Sequence, residues 1–146
     1  FSKDYGLAGL RVGYAIGANS LISHLYKFKL PFEPARLSQL CAAAALQDTD
    51  YIKTSLHTSQ TSLRRLTAGL DTLGIRYIPP TANFMMMVFD SADTAQKFHD
   101  RCLDRGLILR HLTMFGIPEG VRINSGAENE TTFALAIMKE VYETLL

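Results

Sequence analysis

Phe1-Ser2-Lys3-Asp4-Tyr5-Gly6-Leu7-Ala8-Gly9-Leu10-Arg11-Val12-Gly13-Tyr14-Ala15-Ile16-Gly17 opens the chain and decides how the rest is read. It sets a lysine before a glycine-containing loop and an arginine after it, where a short apolar run begins. A lysine attacks a carbonyl only as the neutral amine, so it needs a fixed position and surroundings that favour loss of its proton. A guanidinium fork matches two phosphate oxygens better than an ammonium does. The glycines between them let the backbone turn sharply. The stretch is not a Walker loop, since no Gly-Lys-Ser/Thr follows the glycines, and it lacks the Gly-x-Gly-x-x-Gly of dinucleotide-binding turns. A surface lysine in a polar turn, leading into an ordinary strand, is the competing reading.

The order Ser-Lys-x-Tyr-Gly-Leu-Ala-Gly-x-Arg-x-Gly, spanning Ser2 to Gly13, resembles the cofactor segment of fold type I pyridoxal-phosphate aminotransferases of class I/II. Within that family it is most similar to the histidinol-phosphate aminotransferase group. The resemblance implies pyridoxal 5'-phosphate as cofactor and an electron sink in the reaction. It makes Lys3 the catalytic residue, linked covalently to the cofactor aldehyde. Ser2 and Arg11 become the groups that hold the cofactor phosphate. The implied fold is α/β, the C-terminal part of a fold type I transferase. Residues 1–50 would end the large cofactor-binding domain, and 51–146 would form a linking helix and a small C-terminal domain.

Composition sets outer bounds. The chain has 146 residues, 47% hydrophobic and 20% charged, with net charge +1. That is enough for one domain with a core or two small lobes. The near-neutral balance gives no electrostatic case for nucleic acid or an acidic membrane surface. Cys41 and Cys102 lie in helical patterns without metal spacing and read as core thiols of a reducing, cytoplasmic protein. No run approaches a membrane span, and no signal peptide is read at the start. The chain begins inside a motif and without methionine, so it is expected to be the C-terminal portion of a longer protein, about the last two-fifths of a family member.

Along the chain, Arg11 to Ile16 reads as a strand closed by Gly17. Asn19 or Ser20 caps a helix carrying Leu21, Ile22, Leu25 and Tyr26. Pro31 and Pro34 break the pattern, as a plain turn or as the segment that passes beside the dimer's active site in the resembled group. Leu37, Leu40, Cys41 and Ala44 recur at helical spacing, and Asp48-Thr49-Asp50 interrupts. A second helix carries Leu56, Leu63, Leu66, Leu70 and Leu73 and stops at Gly74. Ile75–Ile78 and Asn83–Phe89 read as strands, although Met85-Met86-Met87 favours helix on its own. Ser91 caps a helix ended by Gly106. Leu107–Arg110 reads as a buried strand, Met114–Gly120 as a loop and Val121–Asn124 as a strand. Ser125-Gly126-Ala127-Glu128 fits a capping box before the final helix. The alternation makes a small α/β lobe.

Arg110 and Arg122 form a second constellation at strand ends. Arg122 lies in an apolar strand, where an unpaired charge is costly, so a partner is expected. A structural ion pair or an exposed edge position is the alternative. By resemblance, Arg122 binds the α-carboxylate of an amino acid or keto acid, and Arg110 meets the phosphate of a phosphorylated substrate. Asn83 resembles a recurrent family position whose amide bonds nearby backbone. His24, His57, His99 and His111 show no ligand spacing, so no metal is expected; His111 lies nearest the expected site.

The implied reaction moves an amino group between the glutamate/2-oxoglutarate pair and a second substrate, histidinol phosphate or imidazole acetol phosphate, in histidine biosynthesis. The small-molecule partners are thus amino acids and keto acids, and a homodimer is implied for the full-length protein. The family's residues for the pyridine nitrogen and ring oxygen precede the lysine and are missing here, so the chain alone is expected to bind cofactor poorly and catalyse little. A threonine-phosphate-type decarboxylase and a non-catalytic scaffold remain the alternatives.

Overall fold

The Met85-Met86-Met87 run is strand. In the computed structural model, which describes residues 1–145, it lies in β2 (Phe84–Val88). Met85 and Met87 are buried while Met86 between them is half-buried. That period-two burial overrides methionine's helical propensity. β2 pairs antiparallel with β1 (Tyr77–Ile78) and β4 (Gly120–Asn124), and β4 pairs with β3 (Arg110–His111), giving the order β1-β2-β4-β3. Register fixes the faces. Tyr77, Met87, Val121 and His111 stand in one cross-strand row, on the face that also carries Met85 and Ile123. Ile78, Met86, Arg122 and Arg110 form the adjacent row on the opposite face.

The chain divides into two compact units, Phe1–Leu56 and the remainder from His57. In the second unit the core face of the sheet packs against α3 (Thr49–Leu73), α4 (Ala92–Asp104) and α5 (Glu128–Glu143). Leu66 and Leu70 from α3, Phe98 and Cys102 from α4, and Met138 and Val141 from α5 meet Met85, Met87, Val121 and Ile123 there. α3 ends as its glycine predicts. Gly74 sits at φ +70, and Gly74 N and Ile75 N donate to Asp71 O and Leu70 O at 3.2 and 3.0 Å. This is the paired closure of a Schellman end. α4 closes the same way on Gly106 and Leu107, and opens on Ser91, whose Oγ accepts from Thr94 N at 3.1 Å.

Three expectations for this unit are corrected. Leu107–Arg110 is not a buried strand: the ladder holds only Arg110–His111, and Ile108 is 82% exposed. The C-terminal closure of α4 takes Leu107 N, so the chain cannot join β4 until Arg110. The capping box lies two residues later than Ser125–Glu128, at Ala127–Glu130. Glu130 Oε2 accepts from Ala127 N at 2.7 Å, while Ser125 Oγ is engaged elsewhere. β1 keeps only Tyr77–Ile78 of the expected Ile75–Ile78, because Ile75 N closes α3.

The first unit holds a 3-10 turn (Ala8–Leu10), α1 (Asn19–Phe28), α2 (Arg36–Ala45) and the start of α3. The expected strand from Arg11 to Ile16 is absent. Arg11 adopts φ +49, a left-handed conformation that starts no strand, and residues 12–18 carry no ladder. α1 is capped by Ala18 without a side-chain bond, so neither Asn19 nor Ser20 is the cap. Asp48 does interrupt: its Oδ1 accepts from Tyr51 N at 2.9 Å, so α3 starts afresh.

Candidate functional site

The Phe1–Gly17 segment folds as a curved loop. Gly6 N donates to Lys3 O at 3.0 Å and Leu7 N to Phe1 O at 3.1 Å, so the chain reverses immediately after the lysine. Gly6 is required at the bend: φ is +65, and a Cβ there would lie 2.7 Å from Tyr51 Oη. Ser2 is half-buried, and Lys3 and Arg11 are exposed. Arg11 donates from Nη1 to Ala8 O at 2.8 Å, which holds its guanidinium back along the 3-10 turn. A hydroxyl, a primary amine and a guanidinium therefore share one short loop. As donor chemistry this set fits a phosphate-bearing aldehyde: hydroxyl and guanidinium suit phosphate oxygens, and the amine suits the carbonyl carbon.

The second set lies in the other unit. The β3–β4 ladder stops at the Arg110–Arg122 pair. Beyond it the two chain segments part around a cavity of about 550 Å³, with Leu107, Ile108 and Leu109 on one side and Asn124, Ser125 and Gly126 on the other. Both arginines line this cavity. They stand directly opposite each other across the ladder, an arrangement that like charges disfavour. The Arg122 guanidinium lies 5.1 Å from the centre of the Phe84 ring. That contact orients it by cation–π attraction but neutralises nothing. Arg122 Nε is buried without a hydrogen-bond partner. A buried donor left unmade costs more than one exposed to water, so the position suits an acceptor supplied from outside. No ion pair to either arginine occurs among the described residues.

His111 is held for structure. Its Nε2 lies 2.7 Å from Pro118 O, a carbonyl that can only accept, so Nε2 carries the hydrogen. Nδ1 then accepts from Thr113 Oγ1 at 3.0 Å. His99 lines the cavity, and its Nδ1 hydrogen bond to Asp100 at 2.8 Å holds the Asp100 carboxyl below its ordinary range. Asn83 acts through its main chain: its carbonyl accepts from Ser125 N at 2.9 Å and Ser125 Oγ at 3.2 Å, where an amide contact was expected. Ser125 and Gly126, read from the sequence only as part of a cap, and Thr131, not read at all, line the cavity; the Ser-Gly pair directly after an arginine-bearing strand is the signal that points to the first two. Among the described residues no group of three or more side chains is placed to hold a metal ion. No helix there is long and apolar enough to cross a membrane.

Residues 1–136 match the family model described as aminotransferase class I and II. Among curated proteins, histidinol-phosphate aminotransferase 1 of Nitrosococcus oceani is 36% identical over 143 residues, which is 98% of this chain and 38% of that protein. Histidinol-phosphate aminotransferase 2 of Ralstonia nicotianae is 36% identical over 140 residues, 95% of this chain and 37% of its own length. The chain thus spans under two-fifths of the length of these curated relatives. Among solved structures, histidinol-phosphate aminotransferase from Sinorhizobium meliloti in complex with pyridoxal-5'-phosphate superposes with a TM-score of 0.89 at 28% identity, covering 100% of this chain and 40% of that one. The Clostridium acetobutylicum histidinol-phosphate aminotransferase gives 0.82 at 26% identity, over 97% and 43%.

Proposed function

This chain belongs to the class I and II aminotransferases, and from that premise we propose that it supplies the lysine and the substrate-binding lobe of a histidinol-phosphate aminotransferase. In this reading residues 1–50 end the large domain, and residues 51–146 form the linking helix and the small domain. The protein works as a cytoplasmic homodimer. The remainder of the active site lies outside this sequence, and the chain alone is inactive.

Ser2 and Arg11 would hold the phosphate of pyridoxal 5'-phosphate, and Lys3 Nζ would bond its aldehyde carbon. The cofactor, when bound, supplies the electron sink that stabilises negative charge at the substrate α-carbon. As a neutral amine beside the substrate, Lys3 Nζ would serve as the base that takes the α-proton. Arg122 places two parallel hydrogen bonds on the α-carboxylate of glutamate or 2-oxoglutarate and so fixes the α-carbon. Arg110 adds charge for the phosphate of histidinol phosphate or imidazole acetol phosphate.

The observation that carries the substrate side is the facing Arg110–Arg122 pair on one cavity, with Arg122 Nε buried and unpartnered. The test uses the full-length protein that contains this chain. It should form glutamate's keto acid when given glutamate and imidazole acetol phosphate, and show the visible absorbance of the lysine-bound cofactor. Lys3→Ala should abolish both while leaving the fold intact. Retention of that absorbance by a folded Lys3→Ala protein would falsify the assignment.

A further inference from the structure

We propose that a relay of hydroxyls running from α3 to α5, Ser62 to Thr131, fixes the Ser125–Gly126 wall of the arginine cavity and thereby sets its affinity for an anion; the inference rests on the reading of that cavity as an anion site. Ser62 and Thr131 are 3% and 2% exposed, among the few buried polar residues of a core that is otherwise apolar. Their oxygens lie 2.7 Å apart. Gly126 N donates to Ser62 Oγ at 3.1 Å, and Thr131 Oγ1 donates to Ala127 O at 2.9 Å.

Hydrogen counting fixes the direction. Each hydroxyl has one hydrogen to give. Thr131 gives its own to the Ala127 carbonyl, so the short contact must run from Ser62 to Thr131. The relay therefore reads Gly126 N–H to Ser62, Ser62 to Thr131, Thr131 to Ala127 carbonyl. It begins and ends on the backbone of two adjacent residues, Gly126 and Ala127, in the segment that leads into α5. Bonds in such a chain polarise one another, and breaking one leaves buried groups unmade. A second, parallel contact acts one residue earlier: Ser59 Oγ lies 2.9 Å from Ser125 Oγ, which donates onward to Asn83 O at 3.2 Å.

The relay acts where the cavity needs it. Gly126 and Thr131 both line the cavity with Arg110 and Arg122. The opposite side, Leu107–Leu109, is outside the ladder, so strand pairing does not hold the two sides at a fixed distance. A Cβ on Gly126 would come 2.8 Å from Glu130 Oε2, the atom that accepts Ala127 N, so a side chain there would have to displace that carboxylate. Ser62 and Thr131 are positioning residues: they touch the wall, and the arginines touch the anion.

The experiment titrates inorganic phosphate into the full 146-residue chain, following the Gly126 amide resonance, with urea unfolding in parallel. Thr131→Val removes the hydroxyl at constant shape and should weaken phosphate binding on the order of tenfold. Thr131→Ser restores the hydroxyl and should bind as the parent does. Ser59→Ala, at a half-buried position, serves as a milder second variant and should weaken binding in the same direction. A Thr131→Val chain that unfolds more easily but binds phosphate unchanged in its folded fraction overturns the relay, as does a Thr131→Ser chain as weak as Thr131→Val. Arg122→Gln separates the two levels: if it weakens binding and the hydroxyl variants do not, only the relay fails. If Arg122→Gln changes nothing, or the parent chain binds no phosphate, the anion site fails and the relay with it.

Discussion

From His57 onward the chain buries Phe98, Met85, Met87, Leu66, Leu70 and Met138 almost completely, whereas in Phe1–Leu56 only Val12, Ser38 and Ala42 are buried. The large side chains of the first unit face outward: Tyr14, Phe28 and Phe32 are 78%, 84% and 97% exposed. Both regions carry apolar residues at regular spacing. An amphipathic pattern states which side chains favour burial, and it says nothing about where the covering surface comes from. In the second unit that surface is the unit's own sheet. In the first unit it is not present among the described residues.

The sharpest way to break this contrast is a pair of aromatic truncations. Phe98→Ala should destabilise the second unit by about 3–5 kcal/mol in urea unfolding, since it empties a fully buried site. Phe32→Ala should change stability by less than about 0.5 kcal/mol, because the ring touches mainly solvent. Equal effects would show that the exposed apolar residues are packed in solution after all.

The two cysteines extend the test. Cys41 is half-buried and Cys102 fully buried. Burial pushes the Cys102 thiol up to about 12. A disulfide reagent at neutral pH should label Cys41 at least about 100-fold faster than Cys102, which reacts only on opening. The sign for stability follows from linkage. The folded value is raised, so the contribution of Cys102 is complete below the ordinary thiol value of 9.0 and is lost as pH climbs toward 12. Unfolding of the second unit should ease over that range, and Cys102→Ala should flatten the slope.

What could be read from the residues divides along the same line. The helices of the second unit, their Gly74 and Gly106 ends and the Ser91 cap are set by contacts within a few residues, and all were legible. The strand read at Arg11–Ile16 was not, because a strand is a statement about a partner and no partner lies in that unit. Leu107–Arg110 failed for a related reason: three apolar residues followed by an arginine suggested a full strand, but the ending of α4 took the first of them. Arg110 and Arg122 were legible as charged residues in apolar surroundings. Their direct opposition across one ladder depends on register, and the walls at Ser125, Gly126 and Thr131 depend on tertiary packing, so neither could be read from spacing.

Capping offers a smaller contrast between the same regions. Ser91→Ala removes the acceptor for Thr94 N and should cost about 1 kcal/mol, read as a lower urea midpoint. α1 starts on Ala18 with no side-chain bond, so Ala18→Ser should gain about 0.5–1 kcal/mol of local helix stability. Hydrogen exchange of the first-turn amides of α1 and α4 reports both. If Ala18→Ser leaves α1 exchange unchanged, the start of that helix is fixed by something other than its cap.

The smallest expected effect concerns Asp100. His99 Nδ1 donates to it at 2.8 Å, and Gln96 Nε2 reaches both oxygens at 2.8 and 2.9 Å; together they lower its carboxyl below 3.8. Donors to the charged form favour ionisation, and they outweigh the opposing effect of partial desolvation. Because the folded value is the lower one, the stabilisation is present above 3.8 and disappears as pH falls through the folded value. Half of the carboxylate side chain is exposed, so solvent screens much of it and the effect on unfolding is small. A carboxyl-carbon titration resolves it directly. The Asp100 midpoint should lie below 3.8 in the parent chain, rise partway in Gln96→Ala, and rise further in His99→Ala, since the histidine is the larger cause. An unshifted midpoint in His99→Ala would mean that the ring at the edge of the arginine cavity is not held by Asp100, and the orientation of that wall would need another source.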